Sequence, residues 1–191
     1  AGDVDRPVIT YVARNLEPIY DNSTALKAFQ IVLAKWPGST LTVAGTGPDE
    51  SHLRELAGEL GLVGAVRFVG RLDRDEMAAL IRSSDAMLNP SLADNMPNSV
   101  LESLASGVPV ISTNVGGIPH LVENGVTALL VPPADPKAMA AACLEVLGNN
   151  DLWMRLRVAG LVEARRYTWP RVAPVLADIY REAIAKVGLD L

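Results

Sequence analysis

Three observations predict a doubly wound α/β domain, a parallel sheet with helices on both faces. Short apolar runs alternate with longer stretches in which apolar residues recur at helical spacing. Connections are short, and neither a low-complexity linker nor a repeat of solenoid period divides the chain. At 191 residues, 49% hydrophobic and 20% charged, the chain has the size and composition of one compact domain with a real core.

The elements follow in order. Residues 7–13 form a first strand, and 23–36 a helix closed by Pro37-Gly38. Residues 40–44 form a second strand, and Gly45-Thr-Gly47-Pro48 is a tight turn opening a helix that ends near residue 60. A third strand at 65–69 leads to a short helix at 74–82, then a fourth strand at 86–89. A helix carrying Glu102 precedes a fifth strand at 108–111, and a sixth at 127–131 is stopped by Pro132-Pro133. Only helices follow, at 136–148, 151–166 and 170–186, with Trp153 and Trp169 read as packing residues of this tail.

Composition narrows the function. A net charge of −5 leaves no basic face for nucleic acid. The single Cys143 excludes an internal disulfide and reads as core filler in an Ala/Leu-rich helix. No run approaches the ~18 apolar residues of a membrane span, and the first residues lack a signal peptide's pattern, so a cytoplasmic location is expected. A start without Met, entering a strand almost at once, suggests a piece excised from something longer.

In such a sheet, ligands bind beyond the carboxyl ends of the strands, near the point where strand order reverses. The segment from Asp94 through Pro97-Asn98 to Glu102 is the most informative there. It places Asp94 on a loop and Glu102 about two turns into the next helix, both flanking a helix N-terminus suited to phosphate. A pyrophosphate flanked by hydroxyl-rich groups fits, because a carboxylate accepts two O–H bonds in fixed directions. Gly45 and Gly47 either let backbone approach a phosphate or ribose, or serve a strand-to-helix turn. Gly116 and Gly117 either expose amides as an anion nest or form a turn. Arg14 reaches a diphosphate or pairs with Glu17 or Asp21; Arg71 lies along a nucleobase or points to solvent. His120 has no second His or Cys nearby and reads as a polar contact at a helix end, so no metal site is expected.

With these residues the chain resembles the carboxyl-terminal half of a family 4 (group 1) retaining glycosyltransferase of GT-B fold, whose halves are Rossmann-like. The motifs run in family order: Arg14-Asn-Leu, Val43-Ala-Gly-Thr-Gly-Pro48, Val66-Arg-Phe-Val-Gly70, Asn89-Pro-Ser91, Pro97-Asn98, Leu101-Glu102 and Gly107-Val-Pro-Val-Ile111. Thr113-Asn-Val-Gly-Gly-Ile-Pro119, Gly125-Val-Thr-Ala-Leu-Leu-Val-Pro132 and Tyr167-Thr-Trp169 complete the series.

The resemblance implies a single nucleotide-sugar-binding domain over residues 1–191, with a hexose moved from a nucleoside diphosphate to a hydroxyl acceptor with retention. It implies that Glu102 holds the ribose and Asp94, where a glutamate is usual, contacts donor-sugar hydroxyls. The amides of Met96, Pro97, Asn98, Ser99 and Val100 are the implied phosphate cradle, and Arg14 the phosphate-binding arginine. A lysine usual a few residues after Arg14 is replaced by Ile19-Tyr-Asp-Asn22. No cofactor or metal is implied. The partner expectations are a nucleotide-sugar donor, an acceptor held by a preceding domain, and peripheral contact of the complete enzyme with a membrane. The fragment itself is expected to be inactive and a monomer or weak dimer. The rival readings are a degenerate non-catalytic GT-B-like scaffold and a dinucleotide-binding oxidoreductase domain. The latter needs a three-glycine fingerprint after the first strand, which Arg14-Asn-Leu16 does not supply.

Overall fold

The computed structural model describes the backbone of residues 8–187 and the side chains of residues 15–186. Pro7 lies outside this range, as does the side chain of Arg14. The sheet runs β3-β2-β1-β4-β5-β6, with every neighbouring pair parallel. The strands are β1 Val8–Asn15, β2 Thr40–Thr46, β3 Val66–Gly70, β4 Ala86–Asn89, β5 Val110–Thr113 and β6 Leu129–Val131. Strand order moves outward from β1 to β3, then returns to the other side of β1 with β4. The switch point therefore lies between β1 and β4.

The interleaved helices are α1 Asn22–Lys35, α2 Glu50–Glu59, α3 Arg74–Arg82, α4 Asn98–Ala105 and α5 Ile118–Leu121; α6 Pro136–Gly148, α7 Asn150–Ala164 and α8 Trp169–Val187 follow β6. Alternation along the strands sorts side chains into two cores, as a parallel sheet covered on both faces requires. Leu88 and Ile111 pack with Phe29 of α1, Leu53 of α2 and Met139 of α6. Their sheet neighbours Met87 and Val110 point the other way, among Ile81 of α3, Val100 of α4 and Ile118 of α5. Cys143 is fully buried in the first core, and burial pushes its thiol up to about 12.

Element ends depart from the sequence-based expectations for local reasons. β5 begins at Val110 because the Val108 amide closes α4 by donating to the Ser103 carbonyl, beside Gly107 at φ +69°, and Pro109 has no N–H. β6 begins at Leu129 because Thr127 belongs to a turn whose amide and hydroxyl both bond within residues 123–127. Glu102 is the fifth residue of α4, little more than one turn in rather than two, because Pro97 is the N-cap. Trp153 donates its indole N–H to the Asp85 carbonyl at 2.7 Å, as a packing residue does. Trp169 is 71% exposed, which corrects its assignment to packing.

Helix α7 crosses α4 closely. A Cβ on Gly160 would come within 2.8 Å of Leu104 Cδ2, so a side chain there would make the buried Leu104 side chain shift.

Candidate functional site

The site begins with a buried polar cluster that fixes the loop after β4. Asn89 ends β4 and donates to Ser112 Oγ on β5 at 2.9 Å, while its own amide oxygen accepts from Ser91 Oγ at 3.0 Å. Thr113 Oγ1 donates to the Ser91 carbonyl at 2.6 Å. All four residues are buried, so their polar atoms depend on one another rather than on water. The Leu92 amide donates to the Ile19 carbonyl at 2.8 Å, tying the same loop to the segment after β1. The loop crossing the switch point is thus anchored at both ends before it reaches Asp94.

Asp94 is half-buried. That burial pushes its carboxyl above its ordinary value, and the backbone N–H groups of Asn95 and Met96 pull it back by bonding the charged form. The Met96 amide of the expected phosphate cradle therefore also faces the Asp94 carboxylate. Pro97 has no N–H, and the Val100 amide donates to the Pro97 carbonyl at 3.1 Å inside the first turn of α4, with Val100 itself fully buried. The amides of Asn98 and Ser99, also of the expected cradle, stand at a helix start with no side-chain cap. An anion placed there meets amides with no partner among the described residues and the positive end of the helix dipole.

The glycine loops prove to be packing devices as much as ligand surfaces. The Gly117 amide donates to the Asp94 carbonyl at 2.9 Å, so it is not free to form an anion nest. A Cβ on Gly116 would lie 2.0 Å from the Asp94 carbonyl oxygen, and one on Gly117 1.9 Å from that of Asn95. Gly47 plays the same part between β1 and β2, where a Cβ would fall 2.4 Å from the Leu16 carbonyl oxygen. Gly45 differs: it sits buried at φ +140° near the end of β2 and lines a cavity.

That cavity, of about 710 Å³, opens at the carboxyl ends of β1, β2 and β3. Asn15, Gly45 and Glu102 line it with Arg71 and Arg74, and Leu72, Met77, Ala78 and Ile81 supply an apolar wall. It brings Arg71 and Glu102 together as the sequence suggested; Asp94, Gly116 and Gly117 do not line it. The two acids therefore do not share this chamber, and Asp94 lies on the loop leading into α4 while Glu102 lies on α4 itself. Sequence reasoning missed Arg74 and the apolar wall. The signal available was the spacing of Met77 and Ile81, one turn apart on a helix that starts three residues after Arg71.

His120 is exposed on α5, and its backbone amide donates to the Gly117 carbonyl. Among the described residues no group of three or more His, Cys, Asp or Glu side chains is placed to hold a metal ion. No helix there is long and apolar enough to cross a membrane.

Comparison with known proteins agrees with this layout. The family model described as glycosyl transferases group 1 matches residues 6–149. The chain is 32% identical to a D-inositol 3-phosphate glycosyltransferase of Thermobispora bispora, over 96% of this chain and 45% of that protein. It is 35% identical to a glycogen synthase of Mycobacterium tuberculosis over 77% of this chain and 36% of the relative. The chain thus spans less than half the length of these relatives. In fold it is similar to Anabaena HepE solved in complex with UDP-glucose, with a TM-score of 0.84 over 92% of this chain and 48% of that one, at 19% identity.

Proposed function

Because the chain belongs to the group 1 glycosyltransferases, we propose that it is the donor-binding domain of an enzyme that moves a hexose from a nucleoside diphosphate to a hydroxyl, with retention. The observation that carries this is that Glu102, which lines the 710 Å³ cavity, lies on α4 about one turn from the Asn98 and Ser99 amides at the uncapped start of the same helix. A nucleoside in the cavity, with Glu102 accepting from ribose hydroxyls, puts its diphosphate at that tip. Asp94, on the loop leading into the tip, is then the acid for the sugar hydroxyls. Relatives whose names describe glycosyl transfer, and a neighbour solved with UDP-glucose, support the same assignment.

In the reaction the anomeric C–O bond to the diphosphate breaks and a new one forms to the acceptor oxygen on the same face. The acceptor's proton leaves with the diphosphate. The chain's contribution is electrostatic: α4 amides meet the charge developing on the departing phosphate, and Arg14 is assigned the same task from sequence. The scheme calls for no metal and no cofactor. The acceptor is assigned to a second domain of the complete protein, and its membrane contact and oligomeric state belong to that whole. A non-catalytic reading has two departures behind it: Ile19-Tyr-Asp-Asn22 carries no lysine where the family resemblance expects one, and Asp94 stands where a glutamate is usual.

Thermal denaturation with UDP, GDP and their sugars tests the proposal. Stabilisation by at least one at millimolar concentration is expected, and none by any overturns it. In the complete enzyme, unchanged turnover after Asp94→Ala and Glu102→Ala decides for the non-catalytic reading.

A further inference from the structure

Cations outnumber acids in the cavity's described lining, which also carries the neutral polar residues Asn15, Thr46 and Ser106. Arg71 and Arg74 are both exposed on its rim, and neither makes an ion pair or a side-chain hydrogen bond among the described residues. Arg74 is the first residue of α3, where the helix dipole disfavours a cation. The acids around it do not pair with it: Asp73 Oδ1 accepts the Glu76 amide at 2.9 Å and Glu76 Oε2 accepts the Asp73 amide at 2.9 Å, a closed capping box. Glu102 is the only carboxylate of the lining among the described residues, and the proposed reading gives it to the ribose. Two guanidinium forks thus stand in the lining with no carboxylate partner among the described residues, and the wall of Leu72, Met77, Ala78 and Ile81 offers an apolar surface for a ring face.

We propose that the Arg71–Arg74 pair selects the donor's base, taking guanine by its adjacent acceptors O6 and N7. The inference rests on the donor-binding reading above and specifies its substrate class. A guanidinium presents two parallel N–H groups, and guanine has two neighbouring acceptors on one edge. Adenine shows an amino donor beside N7, and cytosine an amino donor in place of the oxygen, so each meets an arginine donor with another donor. Uracil offers a lone carbonyl oxygen flanked by C–H and N–H, which satisfies half a fork. The other arginine is then free to lie over the ring opposite the apolar wall.

Titration calorimetry of the 191-residue chain with GDP, UDP, ADP and CDP tests this. GDP is expected to bind about tenfold more tightly than ADP or CDP, with UDP between them. Arg74→Gln and Arg71→Gln, separately, remove a fork while circular dichroism checks the fold. At least one is expected to collapse the GDP-to-ADP ratio toward unity with ADP affinity nearly unchanged. Equal affinities in the unmutated chain, or UDP or ADP binding most tightly, overturn base selection and leave the donor-binding reading intact. So does a uniform loss for all four nucleotides in both variants, which marks the arginines as general counter-charges to the diphosphate. Binding of none overturns both.

Discussion

The amide of Gly117 donates to the carbonyl of Asp94 at 2.9 Å, so the loop after β5 holds the loop after β4 by its backbone. The contact leaves no room for a side chain, since a Cβ at Gly117 would sit 1.9 Å from the Asn95 carbonyl oxygen. Gly117→Ala is therefore expected to lower stability by about 1–3 kcal/mol through overpacking. Urea unfolding measures this. An unchanged midpoint would show that the loops separate freely.

The polar cluster beneath the same loop gives a second expectation. Thr113→Val keeps the shape but removes the donor to the Ser91 carbonyl, at present 2.6 Å away and buried. An unpaired buried carbonyl costs about 1–3 kcal/mol. Hydrogen exchange should locate the loosening in residues 90–97, while the amides of α6 keep their protection.

Burial of Asp94 costs stability once its carboxyl is ionised. Its carboxyl is raised by burial, so the folded state holds the proton more tightly than the unfolded chain does. The linkage then runs downhill: its contribution is present below the ordinary carboxylate value and is lost as pH rises through the folded one. Asp94→Asn should raise the melting temperature at pH 7, and the difference should vanish below about pH 4. In the complete enzyme the same change should abolish sugar transfer. A lower melting temperature at pH 7 would refute the burial argument.

Glu102 gives a chemical test. If it accepts from ribose hydroxyls, Glu102→Gln weakens nucleoside diphosphate binding about tenfold or more, and much less for the 2′,3′-dideoxy analogue. Equal losses for both ligands would place the carboxylate elsewhere.

Cys143 should be inert. A thiol pushed up to about 12 inside the core has almost no thiolate at neutral pH. Ellman's reagent is expected to react only after denaturant unfolds the chain; fast labelling of the native protein would mean the core opens.

Legibility in the sequence followed the range of the causes. The extents of α3 and β4 could be read closely because local chemistry bounds them: a capping box at Asp73 and Glu76 for one, Pro90 for the other. The beginning of β5 could not, because the demand on the Val108 amide comes from the turn that closes α4. Glu102 and Arg71 were visible as residue types on the ligand rim, and the fold brings them to one cavity. Arg74 stands among acids at a helix start and reads as solvated surface; only the crossover from β3 to α3 brings it there. Gly116 and Gly117 were noticeable as glycines, yet the reason for them lies some twenty residues away along the chain, in a contact between two backbones.

The Gly160–Leu104 contact ties α4, which carries Glu102 and the Asn98 and Ser99 amides, to a residue far along the chain. A methyl group added at position 160 presses on the Leu104 side chain, on the helix that carries this acid and these amides. Affinity for a donor can therefore drift through changes on the back of the molecule, with every ligand-touching residue preserved.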